Sequence, residues 1–168
     1  MIDHTLARLQ ANLEAHHIEG FAREGNTPFS CPLLSHIEET LWQGGCTDGV
    51  SLHGAFRHII SVYPWERFNP GGELDSFTEV RLYDGPTVPN EEQLFALARW
   101  INLCKRHGRT LVHCQAGLNR SGLLAGLSLV LAGRSPDEAI TLLRASRSPA
   151  VLCNKAFETW LRQVVGDV

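Results

Sequence analysis

The chain has 168 residues, enough for one well-buried core and too few for two of ordinary size. It is 43% hydrophobic and 20% charged with a formal net charge of −3, and its only lysines are Lys105 and Lys155, a balance that argues against a nucleic-acid-binding surface. No apolar run reaches bilayer length and the start Met1-Ile2-Asp3-His4 lacks a signal peptide, so the expected location is cytoplasmic, with no membrane and no nucleic acid as partner.

In chain order, residues 1–35 are expected to form an N-terminal helical extension ahead of a main domain at 36–168. Ile2, Leu6, Leu9 and Leu13 have helical spacing, and a Gly-rich polar stretch follows from Glu19 to Pro28. This arm either packs on the main domain or serves partner docking and substrate gating. The run Val80–Tyr83 reads as an apolar strand and Ser51–Phe56 as a short helix. Asn90-Glu91-Glu92-Gln93 has the form of a capping box and opens an amphipathic helix with Leu94, Leu97, Ile101 and Cys104 on one side. Leu111-Val112-His113 reads as the end of a buried parallel strand and Leu123–Leu131 as an apolar helix. Ser135-Pro136-Asp137-Glu138 caps a helix to Ser146, and Asn154 begins a last one carrying Phe157, Trp160 and Leu161. Alternating strands and helices imply an α/β fold with a central, mostly parallel sheet flanked by helices.

The loop between the strand ending at His113 and the next helix carries the strongest signal. His113-Cys114-Gln115-Ala116-Gly117-Leu118-Asn119-Arg120-Ser121-Gly122 combines a thiol, two glycines and an arginine in a pattern that this composition yields by chance on the order of 10⁻⁵. A strand-to-helix loop points its unpaired N–H groups and the positive end of the helix at one spot, an anion site. The donors that hold a phosphate also stabilise a thiolate, and a guanidinium clamps phosphate oxygens two at a time.

The segment resembles the signature loop of the cysteine-dependent protein tyrosine phosphatases, in which His-Cys is followed by five residues, Arg, and Ser or Thr. The resemblance covers about residues 36–165 and is closest to the compact dual-specificity branch, bacterial and phage members in particular. It implies a dual-specificity phosphatase-like fold with Cys114 as nucleophile and Arg120 as binder of the phosphate and transition state. Ser121 would steady the departing thiolate, and Gln115, Ala116, Gly117, Leu118, Asn119 and Arg120 would form the phosphate-binding loop, with His113 supporting it from behind. The family forms a phosphocysteine and needs a general acid. Asp84, thirty residues before Cys114 at a strand end that opens into Gly85-Pro86-Thr87-Val88-Pro89, is the choice, with Asp75 as its competitor. Tyr63 and Trp65 either form an aromatic substrate lip or anchor their loop to the core. The segment that deepens the pocket ahead of the core in larger tyrosine-specific domains has no visible counterpart, which implies a shallower site.

Cys31, Cys46, Cys104, Cys114 and Cys153 stand at unrelated spacings and the eight histidines form no ligand pattern, so no metal and no cofactor is expected. The implied substrate and partner is a phosphorylated protein or peptide, with phosphotyrosine favoured. An RNA 5′-triphosphatase, resembled through Gly117-Leu118-Asn119-Arg120, and a phosphoprotein-binding pseudophosphatase are the alternatives.

Overall fold

A computed structural model describes residues 4–164. Helix α1 (His4–Ala15) precedes a hairpin of β1 (His17–Ala22) and β2 (Thr27–Pro32). Then come β3 (Leu34–Glu38), β4 (Leu41–Gly44), β5 (His58–Ser61), β6 (Ser76–Glu79), α2 (Glu91–Lys105), β7 (Thr110–His113), α3 (Arg120–Leu131), α4 (Pro136–Ser146) and α5 (Lys155–Gln163). The main sheet has the order β3-β4-β7-β5-β6, antiparallel only at β3-β4, and β1 and β2 form a separate antiparallel pair. The expected α/β architecture with a mostly parallel sheet is therefore present.

Strand alternation sorts the core into two layers. Leu41, Ile60 and Val112 face the layer of α2, α3, α4 and α5, while Trp42, Ile59 and Leu111 face Leu9, Leu33, Leu52, Phe56 and Phe68. Helices α2 to α5 thus share one face, and α1 with irregular chain covers the other. Helix α3 is buried from Ser121 to Val130, which explains a sequence apolar on every side. The caps form where the sequence predicts them, although at Asn90 only one half of the expected capping box is made. The Asn90 side chain accepts from Gln93 N, Ser135 and Glu138 complete a reciprocal capping box, and Asn154 accepts from Ala156 N and Phe157 N.

Three local expectations differ. Val80–Tyr83 is not a strand, because the pairing with β5 runs from Ser76 to Glu79 in the register His58↔Ser76. As the sheet's edge, β6 needs no apolar run, and Ser-Phe-Thr-Glu suffices there. Ser51–Phe56 forms no helix; Ser51 bridges to Asn69 and the chain turns at His53-Gly54, both at positive φ. The 1–35 extension is helical only in α1, while the Gly-rich stretch after it forms most of the hairpin and β3 starts at Leu34. Leu9 is fully buried beside Leu33, whereas Ile2 lies outside the described residues. No helix among the described residues is long and apolar enough to cross a membrane.

Candidate active site

Cys114 follows the last residue of β7 and Arg120 opens α3, so the loop between them lies at the carboxyl end of the parallel strands. Its backbone polar groups divide cleanly. The Gln115 carbonyl accepts from Cys46 N (3.0 Å), Leu118 O from Leu152 N (3.1 Å) and Asn119 O from Leu123 N (2.8 Å). The Ala116 carbonyl accepts from an Arg147 Nη (3.0 Å), and Gly117 O accepts from Arg147 Nε (2.7 Å) and Gln43 Nε2 (3.1 Å). The N–H groups of Gln115 to Asn119, in contrast, donate to no acceptor among the described residues. Carbonyls tied outward leave a ring of donors turned the other way, at the N-terminus of a helix three turns long. Gly117 permits this at φ +72°, where a Cβ would lie 2.4 Å from the Gly44 backbone.

Cys114 is 2% exposed, and its Sγ lies 3.2 Å from the Ser121 hydroxyl. Arg120 joins no ion pair among the described residues, and its buried Nε has no partner. Its guanidinium lies 5.1 Å from the centre of the Tyr63 ring. A cation so placed is available to an anion. Asp84 is held at both oxygens, with Asn119 Nδ2 donating to Oδ2 (3.1 Å) and Asn154 Nδ2 to Oδ1 (2.8 Å). The Asn119 amide also donates to Glu24 O (3.2 Å) at the hairpin turn and accepts from Asn154 N (2.9 Å). Its side chain is consumed in tying three segments together, which is why it does not cap α3.

One cavity of about 700 Å³ is lined by Cys114, Arg120 and Asp84, with Phe21, Arg23 and Tyr83 among its walls. The whole run Ile18–Glu24 and Phe29 border it, so a segment ahead of the core does wall the site, contrary to the shallow pocket expected from sequence. Asp75, the competing acid, precedes β6 at the other end of the sheet. It pairs with Arg57 at 2.6 Å, a hydrogen bond and charge that hold its carboxyl below the usual carboxylate range. Tyr63 and Trp65 do not line the cavity; Tyr63 lies against Arg120 and meets the Trp65 ring at 5.0 Å with the planes tilted by 45°, and Arg81 covers Trp65 at 4.7 Å.

Behind the loop, burial pushes His113 down to about 4, so the imidazole is neutral and packs edge-on against Phe68. Cys46 also borders the cavity, but burial, helped by Glu66 and Asp48, pushes its thiol up to about 12. Burial likewise raises Cys153, and neither is a ready thiolate that would attack an oxidised Cys114. No cluster among the described residues has the groups to hold a metal ion.

Two residues that tie the loop down escaped the sequence reading. Arg147 is 7% exposed and spends its guanidinium on the carbonyls of Ala116, Gly117 and Pro32 and on the Ser35 hydroxyl (3.0 Å). Nothing in Arg147-Ser148-Pro149 distinguishes it from an exposed helix end. Gln43 lies in β4 with no exposed surface, and a lone polar residue in Leu41-Trp42-Gln43-Gly44 was its only signal.

Comparison with known proteins places this geometry. Human DUSP28 is 19% identical over 79% of this chain and 92% of its own, with a TM-score of 0.65. Tk-PTP in the active form is 24% identical over 80% and 99% of the two chains, with a TM-score of 0.60. The human tyrosine phosphatase-like serine/threonine/tyrosine-interacting protein gives 19%, 77%, 93% and 0.64 in the same order. At these identities the likeness establishes the fold. A search of curated proteins gave no significant match. The sequence profile described as the dual specificity phosphatase catalytic domain matches residues 53–165, two thirds of the sequence, and on that ground the chain belongs to the dual specificity phosphatase family.

Proposed function

We propose that the protein is a cysteine-dependent phosphatase acting on phosphomonoesters of protein side chains, with phosphotyrosine preferred over phosphoserine and phosphothreonine. The observation that carries this reading is the ring of unpaired amides from Gln115 to Asn119, bordered by Arg120 and Asp84 in the cavity that Cys114 lines. The Cys114 thiolate attacks phosphorus as Asp84 delivers a proton to the leaving oxygen, and a phosphocysteine forms. Water then attacks phosphorus and gives its proton to the Asp84 carboxylate, and the S–P electron pair returns to Sγ. Arg120 and the amides follow the equatorial oxygens throughout. Domain limits near 36–168, with the hairpin as the cavity's outer wall, fit the same reading.

The substrate preference rests on what borders the phosphate site. Phe21 and Tyr83 offer exposed rings, 61% and 73% accessible, while Glu19, Glu24 and Glu66 share the rim with Arg23. A cavity with those carboxylates favours a single phosphate on an aromatic carrier over RNA triphosphate or a polyphosphoinositide. The test is a panel of phosphotyrosine and phosphoserine peptides, a phosphoinositide and triphosphate-ended RNA, run beside Cys114→Ser. Phosphotyrosine peptide is expected to be turned over fastest, without added metal, and Cys114→Ser to bind it without turnover. Turnover in that variant removes the covalent route, binding without turnover in the parent chain marks a pseudophosphatase, and triphosphate-ended RNA as best substrate marks an RNA enzyme.

A further inference from the structure

Gln43 is a buried polar group in the core layer beneath α3, and its hydrogen bonds are unevenly met. Its Nε2 lies 3.1 Å from the Gly117 carbonyl and 3.2 Å from Ser121 Oγ, while its Oε1 is buried with no partner. The amide cannot be turned around, because Gly117 O only accepts and must face N–H. One amide hydrogen thus holds the signature loop and the other meets the Ser121 oxygen. An unsatisfied buried carbonyl oxygen is destabilising, and an aliphatic residue would fill a strand of otherwise buried positions without it.

Ser121 itself is fully buried, with Gln43 Nε2 on one side of its oxygen and Cys114 Sγ at 3.2 Å on another. A hydroxyl has one hydrogen and two lone pairs. With a lone pair taken by Gln43, its hydrogen is free to turn to the sulfur, and once Cys114 is ionised only that hydrogen can bridge the two atoms. Donation to a hydroxyl oxygen also polarises its O–H, strengthening the bond it gives in turn.

We propose that Gln43 is a positioning residue for the nucleophile, a relay in which its amide orients the Ser121 hydroxyl to stabilise the Cys114 thiolate. The relay acts where sulfur carries charge, before attack and again as the S–P bond breaks and its electron pair returns to Sγ. It rests on Cys114 being the nucleophile of the proposed phosphatase.

The test reads the thiolate directly, so it stands whether or not any phosphoester is turned over. Iodoacetamide alkylation of Cys114 is followed against pH by mass spectrometry in the full chain, in Gln43→Leu and in Gln43→Met, which keeps the side chain's length without its N–H groups. Both variants are expected to alkylate about three- to tenfold more slowly near neutrality, with the profile displaced to the alkaline side. Ser121→Ala should move the profile at least as far, and adding Gln43→Leu to it should move it no further. A merely structural role predicts equal effects of Gln43→Leu with and without Ser121. That result, an unmoved Ser121→Ala profile, or parent-like profiles in both Gln43 variants overturns the proposal. Where phosphotyrosine is hydrolysed, Gln43→Met should lower kcat more than it alters KM, since Arg147 Nε still holds the Gly117 carbonyl at 2.7 Å and Arg120 is unchanged.

Discussion

The signature loop and the hairpin border the same cavity and are built by opposite means. Every carbonyl from Gln115 to Asn119 is tied down, and Cys114, Gly117, Leu118 and Asn119 are buried. The hairpin shows the reverse. In β1 no residue is fully buried, Phe21 is 61% exposed, and a Cβ on Gly20 would meet the Phe29 ring at 3.2 Å. A group that must hold transition-state charge cannot relax during the reaction, whereas a wall that meets varied side chains needs only shape and apolar surface. On the proposed function the loop would carry the chemistry and the hairpin the choice of substrate. Two side chains join them: Asn119 links Glu24 O to Asp84, and Arg147 links Pro32 O to Ala116 and Gly117.

The sharpest division is expected at Asp84, where the two regions meet. Asp84→Asn should slow hydrolysis of peptide substrates by roughly 10²- to 10⁴-fold and flatten the alkaline limb of the pH–rate profile. Aryl phosphates with strongly acidic phenols should lose much less, because their leaving groups depart without a proton. The substitution also sets an N–H against the donor of Asn119 or Asn154, so part of its effect is expected in stability. Equal losses on all leaving groups would falsify the acid assignment.

Arg147→Met removes a link and leaves three carbonyls without that donor. It should destabilise the fold by roughly 2 to 3 kcal/mol, since a buried guanidinium's bonds to Ala116 O and Pro32 O are lost while Gly117 O keeps Gln43 Nε2, and loosen loop and hairpin together. Denaturant melts measure the first, and phosphate-analogue affinity with hairpin proteolysis the second. Proteolysis of the hairpin that stays at the parent rate would mean the two regions are not joined there.

The loop's burial also gives it a pH sensitivity. His113 stays neutral in the fold down to about 4, while the unfolded chain takes up a proton near 6.5. Its contribution is complete above about 6.5 and is lost as pH falls toward 4, up to roughly 3 kcal/mol. Melts of His113→Gln should show a smaller loss over that window than the parent chain.

Legibility followed the same division. The signature loop was readable because its chemistry demands rare residues at fixed spacing, and the caps at Asn90, Ser135 and Asn154 because capping is local. Arg147 and Gln43 were not, since their importance lies in partners 30 and 74 positions away. The strand at Ser76–Glu79 was missed for Val80–Tyr83 because an edge position is set by pairing with β5 rather than by apolar content. The hairpin lay hidden in a 1–35 extension expected to be helical, because its Gly-rich polar stretch Glu19–Pro28 holds an exposed strand and a turn at Gly25-Asn26 with little alternation to see. Tyr63 and Trp65, for which the sequence left a lip and an anchor both open, pack on each other beside Arg120 and outside the cavity lining.

The smallest effect decides whether the hairpin reads substrate at all. Phe21 is exposed, so Phe21→Ala should leave the melting temperature almost unchanged, in contrast with any truncation inside the loop. An aromatic contact is worth about 1 kcal/mol beyond burial, which corresponds to roughly a fivefold fall in kcat/KM for phosphotyrosine peptide. Phosphoserine peptide carries no ring to lose, and its kcat/KM should hold. Tyr83→Ala should behave alike from the other wall, although its ring also covers Gly85 beside the acid, so it can lower both substrates somewhat. The clean discriminator is the ratio of the two kcat/KM values in Phe21→Ala. An unchanged ratio removes substrate selection from the hairpin, and leaves it as a cover held over the loop by Asn119 and Arg147.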